Sequence, residues 1–512
     1  MQIADLRTCQ LVLTTGLRIA VPGNVLLPFS ARQLITHRVN CRLQRNSSDA
    51  VASPEKRRSS PESESIELPQ ALIDWLDGRK VEEVECIVSD IVGIGRGKAM
   101  PARKFFRAQP MYLPSSIFYQ TITGNYAEVD IPHAWTEADL VLKPDYSTAR
   151  AVPWTSDITM QVIHDLETQD GEPVGFAPRS VLRRIIGMYE AKGWKPVVAP
   201  ELEFYLTKPN INPDDPVIPP VGRTGRRGVS RQAYSISGVD EYEKVVDDIY
   251  DYAEAQGLEI DTLMQEGGAG QLEINLNHGD PLDLADQVFL FKRTIREAAL
   301  RHDCYATFMA KPMENEPGSA MHIHQSVVSI ETGDNIFTNA DGSPSDKFYH
   351  FIGGQQQLLN DVVCILAPYV NSYRRLVPDA SAPINLEWGT DNRSTGLRVP
   401  VSSPEARRVE NRVVGMDANP YLAMAASLAC GFLGMTQELT PRDAIAHEAY
   451  NMPRSLPAGV IEALDLYQQS DLLRETLGHT FSDVYLTIKR DEYKEFLSVI
   501  SPWEREHLLL NV

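Results

Sequence analysis

Four segments of this chain alternate apolar and polar residues with a period of two, and on each the polar face carries the same few residue types. In P-V-V-A-P-E-L-E-F-Y-L, Glu201, Glu203 and Tyr205 fall on one face and Leu202, Phe204 and Leu206 on the other. At a strand rise of ~3.3 Å per residue, the two carboxylates stand roughly 6.6 Å apart on one side of a sheet. G-Q-L-E-I-N-L sets Gln271, Glu273 and Asn275 against Leu272, Ile274 and Leu276. A-M-H-I-H-Q-S-V sets His322, His324 and Ser326 against Met321, Ile323 and Val327, and A-R-R-V-E-N-R-V sets Arg408, Glu410 and Arg412 against Val409 and Val413. Any one of these alone reads as an ordinary antiparallel strand with a hydrated face. Together they concentrate Glu, His and Arg where hydrated faces favour Thr, Lys and mixed residues, which points to a sheet that holds divalent cations and phosphates. A carboxylate-rich donor set with one or two His and no Cys suits Mg²⁺ or Mn²⁺ better than zinc.

The rest of the chain bounds what such a sheet can serve. Its 512 residues leave room for about three average domains or two large ones, and 43% apolar with 23% charged residues is a globular composition. Sixty-nine acidic against 49 basic side chains give a formal charge of −20, which argues against a nucleic-acid partner and mildly favours cationic ligands. The six cysteines (Cys9, Cys41, Cys86, Cys304, Cys364 and Cys430) contain no C-x-x-C pair, so neither a disulfide framework nor a Cys-type zinc site is expected, and a reducing, cytoplasmic compartment is. The longest uncharged, largely apolar run, Tyr421–Met435, is 15 residues long, short of the ~20 that a membrane span needs. It reads as a buried helix opened by Pro420.

Residues 1–65 stand apart. Before Glu55 the only acids are Asp5 and Asp49, against Arg7, Arg18, Arg32, Arg38, Arg42 and Arg45, and a Ser/Pro/Glu stretch follows. We read this as a disordered leader with no fold of its own; the composition also fits a targeting presequence. Folded sequence begins near Leu68, with a short helix around Leu72–Trp75 and a strand over Val84–Val92. A seam is expected around Glu167–Val174, where D-G-E-P breaks the pattern. Pro178 then opens a helix with Val181, Leu182, Ile185, Ile186 and Tyr189 as one stripe, ended by Gly193, and two more helices are expected near 240–255 and 282–301. G-I-G-R-G-K (Gly93 to Lys98) is a weak match to a phosphate loop, lacking its spacing and its Ser/Thr. The Pro/Arg-rich stretch from Lys208 to Arg231 reads as a surface loop.

In this order, E-L-E-F, G-Q-L-E, G-S-A-M-H-I-H, N-S-Y-R-R-L-V-P, N-R-S-T-G-L-R and A-R-R-V-E-N-R resemble the motifs of the glutamine synthetase superfamily, and D-A-N-P-Y-L-A-M-A-A-S-L-A-C-G resembles its core helix. The resemblance covers roughly residues 68–512. R-G-K-A-M-P, V-L-K-P-D, V-P-W and A-P-E-L-E-F-Y-L are similar to the branch that joins glutamate to organic amines, the gamma-glutamylpolyamine synthetases. What this implies is an α+β fold: a small N-terminal beta-grasp domain over residues 66–172 and a catalytic domain with an antiparallel sheet over 173–512. A homo-oligomer of stacked rings is implied as well. Glu203, Glu266 and Glu273 are expected to hold a first metal, Mg²⁺ or Mn²⁺, and Glu201, His322 and Glu410 a second on the phosphates of ATP. His324, Ser326, Arg393 and Arg398 are expected at the nucleotide and its transferred phosphoryl group, and Gly318, Arg375 and Arg412 at glutamate and the developing charge. Arg375, Arg393 and Arg412 are the expected catalytic arginines.

Three departures from the ammonia-using members bear on the second substrate. P-D-A-S-A-P puts Ser381 where those enzymes carry a Glu that binds ammonium, and L-P-S-S puts Leu113 in place of a proton-accepting Asp. Pro317 stands where they carry a substrate-binding Asn. A pocket without the two carboxylates suits a carbon-bearing amine, a diamine or polyamine, over NH₄⁺. Glu405 also replaces a phosphate-contacting Lys, and nothing in the sequence explains it. The alternatives are glutamine synthetase using ammonia, a non-catalytic structural relative, and a guanidino kinase-like phosphotransferase. A non-catalytic relative has no chemical reason to keep a cluster of like charges, and N-S-Y-R-R-L disfavours the kinase.

Overall fold

The computed structural model describes residues 67–512, except 108–109, 132–133, 230 and 379–380, and its strands form two sheets. The expected leader, residues 1–65, lies outside the described residues. Residues 67–512 belong to one compact unit.

The first sheet follows a short helix, α1 (Gln70–Leu76), whose Leu72 packs with Val84, Cys86, Met160 and Val162. It comprises β1 (Glu83–Ser89), β2 (Gly95–Pro101), β3 (Met111–Pro114), β4 (Asp139–Pro144), β5 (Arg150–Ala151) and β6 (Thr159–Glu167), in the order β2-β1-β6-β4-β3 with β5 on β6. Only β1 and β6 run parallel. The strand expected to reach Val92 stops at Ser89 because Asp90 folds the chain into a hairpin. Its carboxylate accepts from Ile94 N at 2.7 Å and from Arg96 Nε at 2.7 Å. Gly93–Lys98 is therefore a hairpin turn running into an edge strand, and not a phosphate loop feeding a helix.

The second sheet comprises β7 (Trp194–Thr207), β8 (Ile260–Gln265), β9 (Gln271–Leu276), β10 (Tyr305–Thr307), β11 (Ile323–Ser329), β12 (Trp388–Thr390), β13 (Leu397–Val399) and β14 (Val409–Asn411). Its order is β12-β13-β14-β11-β7-β9-β8, with β10 also on β7. The expected antiparallel pairing holds except for β12 and β13, which are parallel: the loop between them doubles back, so that Leu397 pairs with Trp388. β7 is the spine. Its first half pairs with β11 and its second half with β9.

Alternation decides which face is buried. Leu202, Phe204, Leu206, Leu272, Ile274, Leu276, Ile323, Val327, Val409 and Val413 all enter one core with the helices, each fully buried side chain of this size being worth ~1.5–3 kcal/mol. Among these helices are α2 (Pro178–Glu190), α3 (Glu243–Gln256), α4 (Pro281–Leu300), α5 (Asp346–Leu358), α6 (Pro420–Gln437) and α7 (His479–Leu497). In α2, Val181, Leu182, Ile185 and Tyr189 are buried as the stripe requires, and Ile186 is half-buried. α4 starts at Pro281 behind an Asp280 cap that accepts from Leu282 N at 2.9 Å. α6 is buried on every side from Pro420 to Met435.

The stretch Glu167–Val174, where a seam is expected, runs from the last residue of β6 into the turn before α2. Arg179 at the start of α2 ties the first sheet to a helix that packs behind the second. Its buried guanidinium donates to Asp145 at 2.7 Å, Asp165 at 2.7 Å and Asp286 at 2.8 Å, tying the first sheet to α4. The stretch from Lys208 to Arg231 is a largely exposed loop, closed by a bridge between Val221 and Arg227.

Candidate active site

The strand register sets the polar face of the second sheet. Glu203 on β7 lies directly opposite Glu273 on β9, and Glu201 opposite Asn275. On the other flank His324 on β11 pairs with Glu410 on β14, which pairs in turn with Arg398 on β13. Glu266 follows the end of β8, where its backbone N–H donates to Gln271 O at 2.9 Å. His322 enters from the residue before β11, held by a main-chain bond from Glu201 N to His322 O at 2.9 Å.

The face has two electrostatic halves. In the first, Glu203, Glu266 and Glu273 are buried or nearly so with too little positive charge beside them. Burial, then Glu266, pushes Glu203 up to about 8. Burial, then Glu201 and Glu203, pushes Glu273 up to about 10, and burial also raises Glu266. Like charges directly across a strand pair destabilise it. A carboxylate cluster that cannot ionise fully by itself and offers only oxygen donors fits a hard divalent cation such as Mg²⁺ or Mn²⁺.

In the second half the charges are matched. Both oxygens of Glu201 meet imidazoles, Oε2 at 2.9 Å from His322 Nδ1 and Oε1 at 2.9 Å from His324 Nε2. Burial works to raise Glu201, but these bonds outweigh it and hold it below the usual carboxylate range. Glu410 takes Arg398 Nη1 on one oxygen at 2.7 Å and Arg412 on the other; against its burial, Arg412 and then His322 bring it down to about 2. Burial, then Arg412, lowers His322 to about 4, so its ring is neutral, as a metal ligand requires. Ligand atoms of Glu201, His324 and Glu410 lie within 4.8 Å of one another, a group that could hold a cation. His322 also belongs here, with Nδ1 3.8 Å from both Glu203 and Glu410.

The other expected residues surround this face unevenly. Gly318 packs against the stem of Arg375 and the carbonyl of Ala310, where a Cβ would lie 2.5 and 2.6 Å from its neighbours, so no side chain fits. Arg375 is buried and donates to the carbonyls of Val413 at 2.9 Å and Arg412 at 2.8 Å, which fixes the chain that carries Arg412. Arg412 also reaches Ser381 O at 3.5 Å, and its buried Nε has no partner among the described residues. Ser381 is exposed with φ of +56°. Arg393 is exposed on the loop between β12 and β13, Arg398 also holds Asp391 at 2.6 Å, and Ser326 lies half-buried on β11. Leu113 is not at this face. Its side chain sits in the core with Leu140 and Leu142, so it offers nothing to a substrate.

Two residues of the polar face gained no role from the sequence. Arg408 Nε donates to His324 Nδ1 at 3.2 Å, and since a guanidinium only donates, the imidazole proton sits on Nε2, facing Glu201. Gln271 contacts Glu203, Gly318 and Gly268. The alternation put both on the right face, but only distances reveal what they touch. A cavity of about 1090 Å³ between β2, α4 and α7 includes none of the clustered Glu and His residues. The chemistry, not the volume, identifies the site.

The glutamine synthetase catalytic-domain model matches residues 175–508. The gamma-glutamylputrescine synthetase of Escherichia coli (strain K12) is 34% identical over 435 residues, covering 84% of this chain and 92% of that protein. The glutamate–isopropylamine ligase of a Pseudomonas species is 31% identical over 446 residues, covering 84% and 95%. The glutamine synthetase of Pyrococcus abyssi is 32% identical over 439 residues, covering 84% and 93%. Among solved structures, ligand-free GmaS matches with a TM-score of 0.73 and 25% identity over 86% of this chain and 99% of that one, and a complex of GmaS with ADP gives the same figures. The polar sheet face thus lies within a matched catalytic domain that spans more than half of the sequence, and the chain belongs to the glutamine synthetase family.

Proposed function

We propose that this enzyme joins the γ-carboxylate of glutamate to an organic amine, a diamine or polyamine, with conversion of ATP to ADP and phosphate. The observation that carries the reading is the register that sets Glu203 against Glu273 beside Glu266. Glu203, Glu266 and Glu273 would hold one Mg²⁺ or Mn²⁺, and Glu201, His322 and Glu410 a second. Bound there, the cations neutralise phosphate oxygens during phosphoryl transfer. His324, Ser326, Arg393 and Arg398 would face the nucleotide. Gly318, Arg375 and Arg412 would seat glutamate, Gly318 through its exclusion of a side chain and Arg375 by fixing Arg412.

The glutamate carboxylate attacks the terminal phosphorus of ATP, ADP leaves, and a γ-glutamyl phosphate forms. A neutral amine then adds to the acyl carbon, phosphate leaves, and the amine proton passes to a base. Arginines stabilise charge that develops on oxygen in both steps. Two observations favour a carbon-bearing amine over ammonia: Ser381 brings no carboxylate to the rim beside Arg412, and Leu113 is sequestered in the core. Two of the relatives carry alkylamine ligation in their names. We read the first sheet, within residues 66–172, as a beta-grasp domain beside a catalytic domain over 173–512, in a ring-forming oligomer. The free, buried thiols of Cys86, Cys304, Cys364 and Cys430 support a reducing compartment, the cytoplasm. Among the described residues, no helix is long and apolar enough to cross a membrane.

An amine panel scored for phosphate release with ATP, Mg²⁺ and glutamate tests the reading. Turnover with a diamine should exceed that with ammonium. If glutamine is made from ammonium at least as efficiently as any organic amine is ligated, the ammonia-using reading takes its place.

A further inference from the structure

Gln271 begins β9, opposite Tyr205, and its side chain is 1% exposed. Its carboxamide oxygen accepts from Gly268 N at 3.0 Å. Its nitrogen donates to Gly318 O at 3.0 Å and lies 3.3 Å from both Glu203 Oε2 and Ser319 Oγ. The network fixes the amide orientation, because the flipped form would set an acceptor against a carbonyl and a carboxylate. The main chain of Gln271 adds two bonds to the same loop, donating to Gly268 O at 3.1 Å and accepting from Glu266 N at 2.9 Å.

One buried side chain therefore meets three parts of the site: the carboxylate of Glu203, the loop that follows Glu266, and the Gly318–Ser319 segment. Glu203 Oε2 accepts a second bond, from Ala320 N at 2.8 Å. With Oε2 committed to two N–H donors, Oε1 is the oxygen left for a cation. Gly318 cannot yield independently, being packed against Arg375 and Ala310.

We propose that Gln271 is a positioning residue that couples the glutamate seat at Gly318 to the cation-facing carboxylate of Glu203. The inference rests on the metal and glutamate assignments proposed above. Glutamate pressing on Gly318 acts on the amide, the amide acts on Glu203, and a cation on Glu203 acts back with the same coupling factor. A buried Gln with a merely structural role would stabilise the fold without linking the two ligands.

The test is Mn²⁺ titration of the nucleotide-free protein, with and without glutamate, on the unmodified chain and on Gln271→Met, with melting temperatures measured alongside. Gln271→Met keeps length and volume but removes the donors. It should weaken Mn²⁺ binding by about 10- to 100-fold, as loss of a group that orients a metal ligand does. It should also bring the glutamate–Mn²⁺ coupling factor close to one and raise the KM for glutamate while leaving that for ATP unchanged. Should Gln271→Met not fold, Gln271→Asn retains the amide but withdraws it by one methylene, with the same expected loss. Unchanged Mn²⁺ affinity and coupling in a folded variant would overturn the role of Gln271 alone. No Mn²⁺ binding by the unmodified protein would overturn the metal assignment and this inference with it.

Discussion

Glu203 and Glu273 face each other across β7 and β9, and without a cation both hold protons that an unfolded chain would release. Their folded values, about 8 and about 10, lie above the ordinary 4.5. The folded state thus binds more protons than the unfolded one, and unfolding free energy falls as pH rises. The stabilisation is complete below the unfolded value and is lost as pH climbs through the folded values. Glu201 and Glu410, held low, act only on the acid side. Cation-free protein should therefore lose melting temperature between about pH 6.5 and about pH 8, since below that range His322, held down to about 4, works in the opposite sense and above it the buried Lys292, held down to about 7, does; Mg²⁺ or Mn²⁺ should flatten that slope. Calorimetry in chelator and in excess cation reads it directly. Glu203→Ala should reduce turnover by orders of magnitude while the cation-free fold persists, because it relieves like-charge repulsion as it deletes a ligand. Near-normal turnover at limiting Mg²⁺ would remove Glu203 from the site.

Among the elements, β7 carries Glu201 and Glu203, and α5 and α6 pack together in the core. The apolar half of β7 was legible because Leu202, Phe204 and Leu206 alternate strictly with polar partners, and α6 because an uncharged run too short for a membrane has to be buried in the protein. α5 has no such signature. Its stripe is interrupted by Gly353 and Gly354, residues that weaken a helix in isolation. Their reason lies in the partner. A Cβ on Gly354 would come within 2.2 Å of Cys430 O and 2.5 Å of Gly434 Cα, and one on Gly434 within 2.2 Å of His350 O. The helices cross backbone to backbone at these glycines. Gly354→Ala should cost about 1–3 kcal/mol or more, because main chain and not a flexible side chain blocks the added methyl. Urea unfolding measures the loss, and an unchanged midpoint would show that the helices slide apart freely.

At the scale of the molecule, the question is which amine enters and in what protonation state. An amine attacks only when neutral, yet alkylamines have pKa values near the ~10.4 of lysine. Without carboxylates at Ser381 and Leu113 to accept the proton, activity with a diamine should rise with pH above 7 as the neutral fraction grows. Ser381→Glu should narrow the pocket and shift the preference towards ammonium. Full activity is not expected, because Leu113 lies in the core and its position presents no base. Competition between a diamine and ammonium in wild-type and variant protein measures the shift. Deleting residues 1–60 should leave melting temperature and turnover nearly unchanged, since these residues precede the family match, which begins at residue 175, and the first sheet, which begins at Glu83.

The polar and apolar faces of four strands, the buried helix α6, the stripe of α2 and the residue types of the site are readable from spacing alone, because strand and helix periods are local properties. Tertiary structure decided everything that depends on register. That Glu203 meets Glu273, that Glu410 lies between His324 and Arg398, that Leu113 turns into the core and that Gln271 joins Glu203 to Gly318 all follow from pairings between residues far apart in the chain. A one-residue slip in any pairing would leave each segment's composition intact and move its whole polar set to the opposite face. Composition names the donors available to a site, and only the packed register determines which of them share a cation, a proton or a substrate.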